Sequence, residues 1–229
     1  MAIRKLNDWV PEVRAAARDK LLELAKATDP EYVVEALCIA LFNWGSWGRI
    51  EDADKDVLLK IISDEKIAEA LIQRIMFSAS GPMTSLFSQL GRTPILDGHV
   101  EKFASLAVQP SLRAKAYRSL FENRVTWLEG RKWVWTDIRY CEKKLVPIVS
   151  ERKLSVETPI LDLLQESAKD RSSIVRRVSA EILIRELDTL DGIGKELADI
   201  FASDSSDAVS ERGRFALKKL VESGRADAS

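Results

Sequence analysis

The feature that most constrains this chain is a short helical motif that returns along it. In each copy an apolar residue precedes an Arg, a small residue stands three places after the Arg, and Leu follows four places later. The copies read Val13, Arg14, Ala17, Leu21; Leu112, Arg113, Ala116, Leu120; and Val175, Arg176, Ser179, Leu183. A weaker copy, Val209, Ser210, Gly213, Leu217, has Ser in place of the Arg. Offsets of three, four and seven put the apolar and small residues on one helical face, and the small residue admits a neighbouring helix at close range. Asp8, Asp170 and Asp204 stand five places ahead of the apolar residue. That position suits an acid that caps free backbone N–H groups at the positive end of the helix dipole. The Arg, one position off the apolar stripe, is within reach of an Asp of its own or the adjacent turn.

Positions 176 and 210 are 34 residues apart, and the steps of 63 (113 to 176) and 99 (14 to 113) are close to two and three such periods. A ruler of this length points to repeated helix pairs, and one ruler along the whole chain predicts a single domain over 1–229. The apolar pattern predicts helices over 9–26, 31–43, 54–63, 66–78, 82–90, 97–107, 110–122, 158–168, 172–187, 194–203 and 207–222, with Gly and Pro between them. The motif helices are then the first, seventh, ninth and eleventh. All are odd, as an alternating stack requires, provided that residues 123–156 add no regular helix to it.

The segments NDWVPEVRAAARDKLLELA and KDRSSIVRRVSAEILIREL resemble the motif-bearing helices of the HEAT family, the first with a Pro after the capping Asp. The resemblance implies an all-α fold, a HEAT-like α-solenoid in which antiparallel helix pairs build a right-handed superhelix. It also implies a concave face that binds proteins and, in some members, nucleic acid. Over residues 45–108 the motif fades and only helical periodicity speaks for the stack.

Residues 123–156 are therefore expected to form an insert at one edge of the stack, where such insertions often do the binding. Within it RVTWLEGRKWVWTD alternates bulky β-formers around Glu129 and Gly130, which predicts a small β-hairpin with those two residues as its turn. Leu128 would pair with Arg131 and Thr126 with Trp133. Leu128, Thr126, Trp133 and Trp135 would then share one face, and Val125, Trp127, Lys132 and Val134 the other. A lone ribbon cannot stand by itself, so one face should lie against the helices. Trp127, Trp133 and Trp135 with Arg124, Arg131, Lys132 and Arg139 offer rings and cations of the kind used in protein hot spots and on single-stranded nucleic acid. The plainer alternative is that the tryptophans glue the hairpin to the helices and the cations are solvated. A second cluster, Trp44 and Trp47 in FNWGSWGRIED, reads as a loop closing over the core.

Lys and Arg total 35 against 36 Asp and Glu, so no overall field advertises nucleic acid. The distribution is uneven: residues 109–153 carry 11 basic and 5 acidic groups, between acidic ends. No apolar run approaches the length of a membrane span, and MAIRKLNDW lacks the apolar core of a secretory signal. With only Cys38 and Cys141, a reducing cytoplasm is the expected compartment, and Cys38 in ALCIALF reads as a small buried hydrophobe.

Chemistry is poorly supported. His99 is the only histidine, too few for a multi-His metal site, and the two cysteines lack metal-ligand spacing. No metal, cofactor or catalytic residue is expected. LDGIGKELADI (190–200) lacks phosphate-loop spacing. It resembles the helix-hairpin-helix element that holds DNA phosphates, with Asp191 in place of the usual Pro, and also reads as a turn in which glycine ends a helix.

The leading expectation is a non-catalytic binding or scaffold protein that engages another protein through its concave face or its Trp/Arg-rich insert. A second is nucleic-acid binding with base-excision chemistry, since the chain is distantly similar to HEAT-like DNA glycosylases, whose Trp-lined cleft carries an Asp and an Arg; Asp137 is then the first carboxylate to suspect. A third is a bacterial inhibitor or immunity-type protein.

Overall fold

The computed structural model describes residues 2–226. It is predominantly helical, with packed helix pairs and one antiparallel two-stranded insert. Residue contacts group it into two compact units, Met1–His99 with Arg124–Ser155, and Val100–Asn123 with Val156–Ser229.

The first unit opens with a 3-10 turn, Ala2–Asn7, followed by α1 (Pro11–Ala27) and α2 (Pro30–Asn43). After the 3-10 turn Trp44–Ser46 come α3 (Asp52–Ile62), α4 (Glu65–Phe77), α5 (Met83–Leu90) and a 3-10 turn, Pro94–His99. Pro11 and Pro30 sit at first helical positions, where a missing N–H costs nothing. Asp29 and Asp64 cap α2 and α4 by accepting from backbone N–H groups. Helix α1 packs on α3 and α2 on α4 and α5. The buried side of α2 is lined by Val33, Val34, Leu37, Ala40 and Leu41, and that of α4 by Ile67, Leu71, Ile72 and Ile75. Trp44 is buried beneath the loop that follows α2 and Trp47 half-buried, as a closure over the core requires. Burial raises the pKa of the Cys38 thiol, in keeping with a packing role.

The second unit contains α6 (Val100–Leu106), α7 (Pro110–Phe121), α8 (Ile160–Ser167), α9 (Ser173–Glu186), α10 (Asp191–Ala202) and α11 (Asp207–Ala226). Each of α7, α9 and α11 packs on the helix before it, and α9 also packs on α7 and on α11. The motif helices are thus neighbours, and their small residues lie where helices touch. Ala116 and Ser179 are fully buried. A Cβ on Gly213 would collide with the Ala202 backbone nitrogen, so α11 crosses the end of α10 closer than any side chain permits.

The motif Arg and Asp form a ladder in addition to the bonds that the Asp accepts from backbone N–H groups ahead of the helices. Arg113 Nε and Nη2 donate to the two carboxylate oxygens of Asp170, each at 2.8 Å. Arg176 meets Asp204 in the same bidentate way, at 2.6 and 2.9 Å. The Nη1 of Arg14, Arg113 and Arg176 donates in each case to the carbonyl six residues earlier, on Asp8, Ala107 and Asp170. Asp170 and Asp204 also accept from the N–H two residues on, making turns ahead of α9 and α11. This explains the irregular copies within the unit. Its first copy has Ala107 where the Asp would stand, and its last has Ser210 where the Arg would stand. Those are the two half-rungs with nothing to join. In the first unit the equivalent link comes one turn later, from Arg18 to the fully buried Asp54 at 2.8 Å.

Two expectations are corrected here. Helix α10 begins at Asp191, so Gly192 and Gly194 lie in its first turn and the connection is the 3-10 turn Leu187–Thr189. The glycines therefore neither end a helix nor form the loop of a helix-hairpin-helix. The hairpin is also much longer than a ribbon turning at Glu129 and Gly130: β1 (Arg124–Asp137) runs straight through those residues and pairs with β2 (Glu142–Lys153). A turn at 129–130 would leave the β-branched run LVPIV unpaired, whereas the observed register uses it. No helix interrupts 123–156, so the motif helices keep their odd positions.

Removal of one partner from a buried bidentate pair leaves the other charge stranded. Arg113→Ala should therefore lose about 3 kcal/mol in urea unfolding, and adding Asp170→Ala should cost far less than the sum of the two single changes.

Candidate functional site

The hairpin leaves α7 through Asn123, whose left-handed backbone (φ 48°) ends the helix. Its near half is docked. Val125 is fully buried against Gly91, where any Cβ would collide with the Val125 side chain. Arg152 reaches into the turn that follows α5 and satisfies all five of its N–H donors. Nε donates to the Gly91 carbonyl, Nη1 to Asp97 and the Lys153 carbonyl, and Nη2 to Asp97 and the Thr93 carbonyl. Asp97 also accepts from the Ser155 N–H and hydroxyl. Burial alone would raise its pKa, but the hydrogen bonds from Arg152 and Ser155 outweigh it and hold the carboxyl below the ordinary range.

A second contact is built around a β-bulge. Leu128 pairs with Val149 and Gly130 with Ile148, leaving Glu129 as the extra residue on β1. Its carboxylate accepts from Trp127 Nε1 at 2.8 Å and lies 2.9 Å from Arg92 Nη1. The Arg92 guanidinium in turn lies over the rings of Trp44 (4.8 Å) and Trp127 (5.3 Å). Burial opposes the charge on Glu129, yet the hydrogen bonds from Arg92 and Trp127 lower its pKa on balance.

The bulge decides the fate of the tryptophans. In a regular strand Trp127, Trp133 and Trp135 would share a face, because all are odd-numbered. The extra residue reverses the alternation. Val125, Trp127, Gly130, Lys132 and Val134 fall on the side that docks through Val125 and Trp127 and is exposed further out, opposite Arg152, Ser150, Ile148, Val146 and Lys144. Leu128, Arg131, Trp133 and Trp135 fall on the other, opposite Val149, Pro147, Leu145 and Lys143. The expected division into faces therefore holds, with a bulge in place of the turn as its cause.

The second face is a continuous apolar stripe in water. Its exposures are Leu128 42%, Trp133 65%, Trp135 48%, Leu145 40% and Val149 58%. Lys143 Nζ sits 4.0 Å from the Trp135 ring. Arg131, Lys132 and Arg139 are exposed and make no ion pair among the described residues. Arg124 is held by Glu151 at 3.0 Å. The seven residues singled out in the sequence thus divide: Trp127 is docked, Arg124 paired, and Trp133, Trp135, Arg131, Lys132 and Arg139 open. Asp137 is engaged in the turn Ile138–Cys141, where its Oδ1 accepts from the N–H groups of Arg139 and Tyr140. Leu145, Val149 and Lys143 were missed. The signal for them was the run LVPIV, which Pro147 made unlike a strand.

Among the described residues no group of three or more His, Cys, Asp or Glu is placed to hold a metal ion. No described helix is long and apolar enough to cross a membrane. Comparison with protein-family models, curated proteins and solved structures gives no match.

Two outcomes follow from this geometry. Trp127→Ala should cost about 2 kcal/mol or more in urea unfolding, whereas Trp133→Ala and Trp135→Ala should each stay within about 0.5 kcal/mol of the parent. The depressed pKa of Asp97 means that its contribution is complete above the ordinary carboxylate range, about pH 4, and is lost as pH falls through the lower native value. Asp97→Asn should therefore flatten the acid side of a plot of urea midpoint against pH between about 5 and 3.

Proposed function

We propose that this chain is a non-catalytic binding protein, a HEAT-like solenoid by architecture, that holds another protein through the open face of its hairpin. The observation that carries the proposal is the exposure of Trp133 and Trp135 together with Leu128, Leu145 and Val149 on one side of a ribbon whose near half is anchored through its other side. Isolated exposed apolar residues are ordinary, but a contiguous stripe with two tryptophans has the composition of an interface core. The solenoid part of the reading is supported by the regular packing of α7, α9 and α11 and by the Arg–Asp rungs between them.

Nucleic acid is the second reading, favoured by the unpaired cations Arg131, Lys132 and Arg139. It fits less well. Lys143 already occupies a face of Trp135, and the aliphatic side chains of the stripe offer nothing for bases to stack on.

Affinity purification from the native cell should recover a partner protein with the parent chain and lose it with Trp133→Ala plus Trp135→Ala. Retention of the same partner by the double variant would sink the assignment to this face. A titration with single-stranded DNA at two salt concentrations checks the alternative, since phosphate binding must weaken steeply as salt rises.

A further inference from the structure

We propose that the partner is gripped by strand addition at the outer edge of β1, and that it supplies an extended segment in which acidic and apolar residues alternate. This rests on the hairpin as the binding element and adds the mode of contact and the chemistry of the segment.

The two edges of the ribbon are not equivalent. Pro147 pairs with Arg131 and has no N–H to give. The ladder is satisfied there only if this is a non-hydrogen-bonded pair, with the proline nitrogen facing the outer edge of β2. The pairs Trp133–Leu145 and Trp135–Lys143 share its parity. The N–H and C=O groups of Arg131, Trp133 and Trp135 therefore point away from β2 along the free edge of β1. The edge of β2 is interrupted by proline, a standard block to further pairing. That of β1 offers three consecutive donor–acceptor positions, on residues that are all exposed.

The side chains choose the sequence of the added strand. On one face it runs beside Trp133 and Trp135 and gains by being apolar. On the other it runs beside Lys132 and Val134, with Lys144 one strand further on, and gains by being acidic. From Arg131 to Val149 the hairpin has five cations, Arg131, Lys132, Arg139, Lys143 and Lys144, against Asp137 and Glu142, and Asp137 is engaged in the turn. The same excess argues against a second copy of this chain as the occupant, since edge-to-edge pairing would bring the two sets of cations together. Main-chain pairing selects a polypeptide over nucleic acid.

The test uses the full 15N-labelled chain and an acetylated, amidated peptide of four Glu-Val repeats. Binding should be saturable below about 1 mM, a free energy of about 4 kcal/mol, should weaken with salt, and should slow amide exchange at Arg131, Trp133 and Trp135. Arg131→Pro places on β1 the device that Pro147 places on β2; it should weaken binding at least tenfold, against two- to threefold for Arg131→Ala. Of two peptides N-methylated at every second residue, one at the Val and one at the Glu positions, the one whose methylated nitrogens face β1 should bind the unmodified chain at least tenfold more weakly than the other, which gives the same answer should Arg131→Pro disturb the hairpin. Equal binding of both N-methylated peptides overturns strand addition. So does absence of saturable binding, tighter binding of a Lys-Val peptide or of oligothymidine, or self-association of the chain that Arg131→Pro abolishes. Each leaves the proposed function to its own test, the loss of partner protein in the double tryptophan variant.

Discussion

A two-stranded ribbon buries too little surface to fix its own position, and the hairpin here depends on one guanidinium. Arg152 spends every donor it has on Gly91, Thr93, Asp97 and Lys153, and Asp97 completes its own shell with Ser155. Because β2 is regular from Glu142 to Lys153, seating the side chain of Arg152 inward turns every odd-numbered residue of β2 outward. Leu145 is about 24 Å from Arg152 along the strand, yet its orientation is settled at that foot. Burying a charge pair is costly unless every lone pair and proton is matched, and the matching is what makes this anchor specific to one face.

The bulge at Glu129 performs the complementary sorting on β1. It separates Trp127, which packs by Arg92 and Trp44, from Trp133 and Trp135, which stay exposed. An unpaired residue in a ladder costs a backbone pairing. Here its side chain joins Lys55 and Arg92, so the irregularity also ties the ribbon to α3 and to the end of α5. Three tryptophans that look alike in sequence therefore have two different physical roles.

Much of this is legible in the sequence. The apolar periodicity locates the helices to within about three residues at nearly every end, because offsets of three and four are imposed by the helix itself. The count of motif helices required 123–156 to add no regular helix, and it adds none. What could not be read depends on pairing over distance. The hairpin turn was misplaced because Glu129-Gly130 satisfies local turn preferences, whereas the true turn, Ile138–Cys141, is selected by the register of residues up to 29 positions apart. Arg152 and Asp97 are 55 residues apart and carry no motif. The Asp–Arg rungs were expected only as reach within a turn or to the next; their span of 57 residues from Arg113 to Asp170 is a property of the packed helices.

The rungs and the anchor share a logic that bears on function. Each is a bidentate guanidinium–carboxylate pair set in a site where apolar residues could have packed with no desolvation cost. Such pairs contribute little net stability but tolerate only one geometry. A chain that exposes five large apolar side chains on one face of a ribbon has a corresponding need for fixed geometry, because ordering a mobile hairpin on contact would consume free energy that should go into binding. Rigid at Arg152 and Glu129, bare at Trp133 and Trp135, the ribbon meets that condition: its open face is ordered before a partner arrives, and the proline on its second edge leaves one side from which the partner can pair.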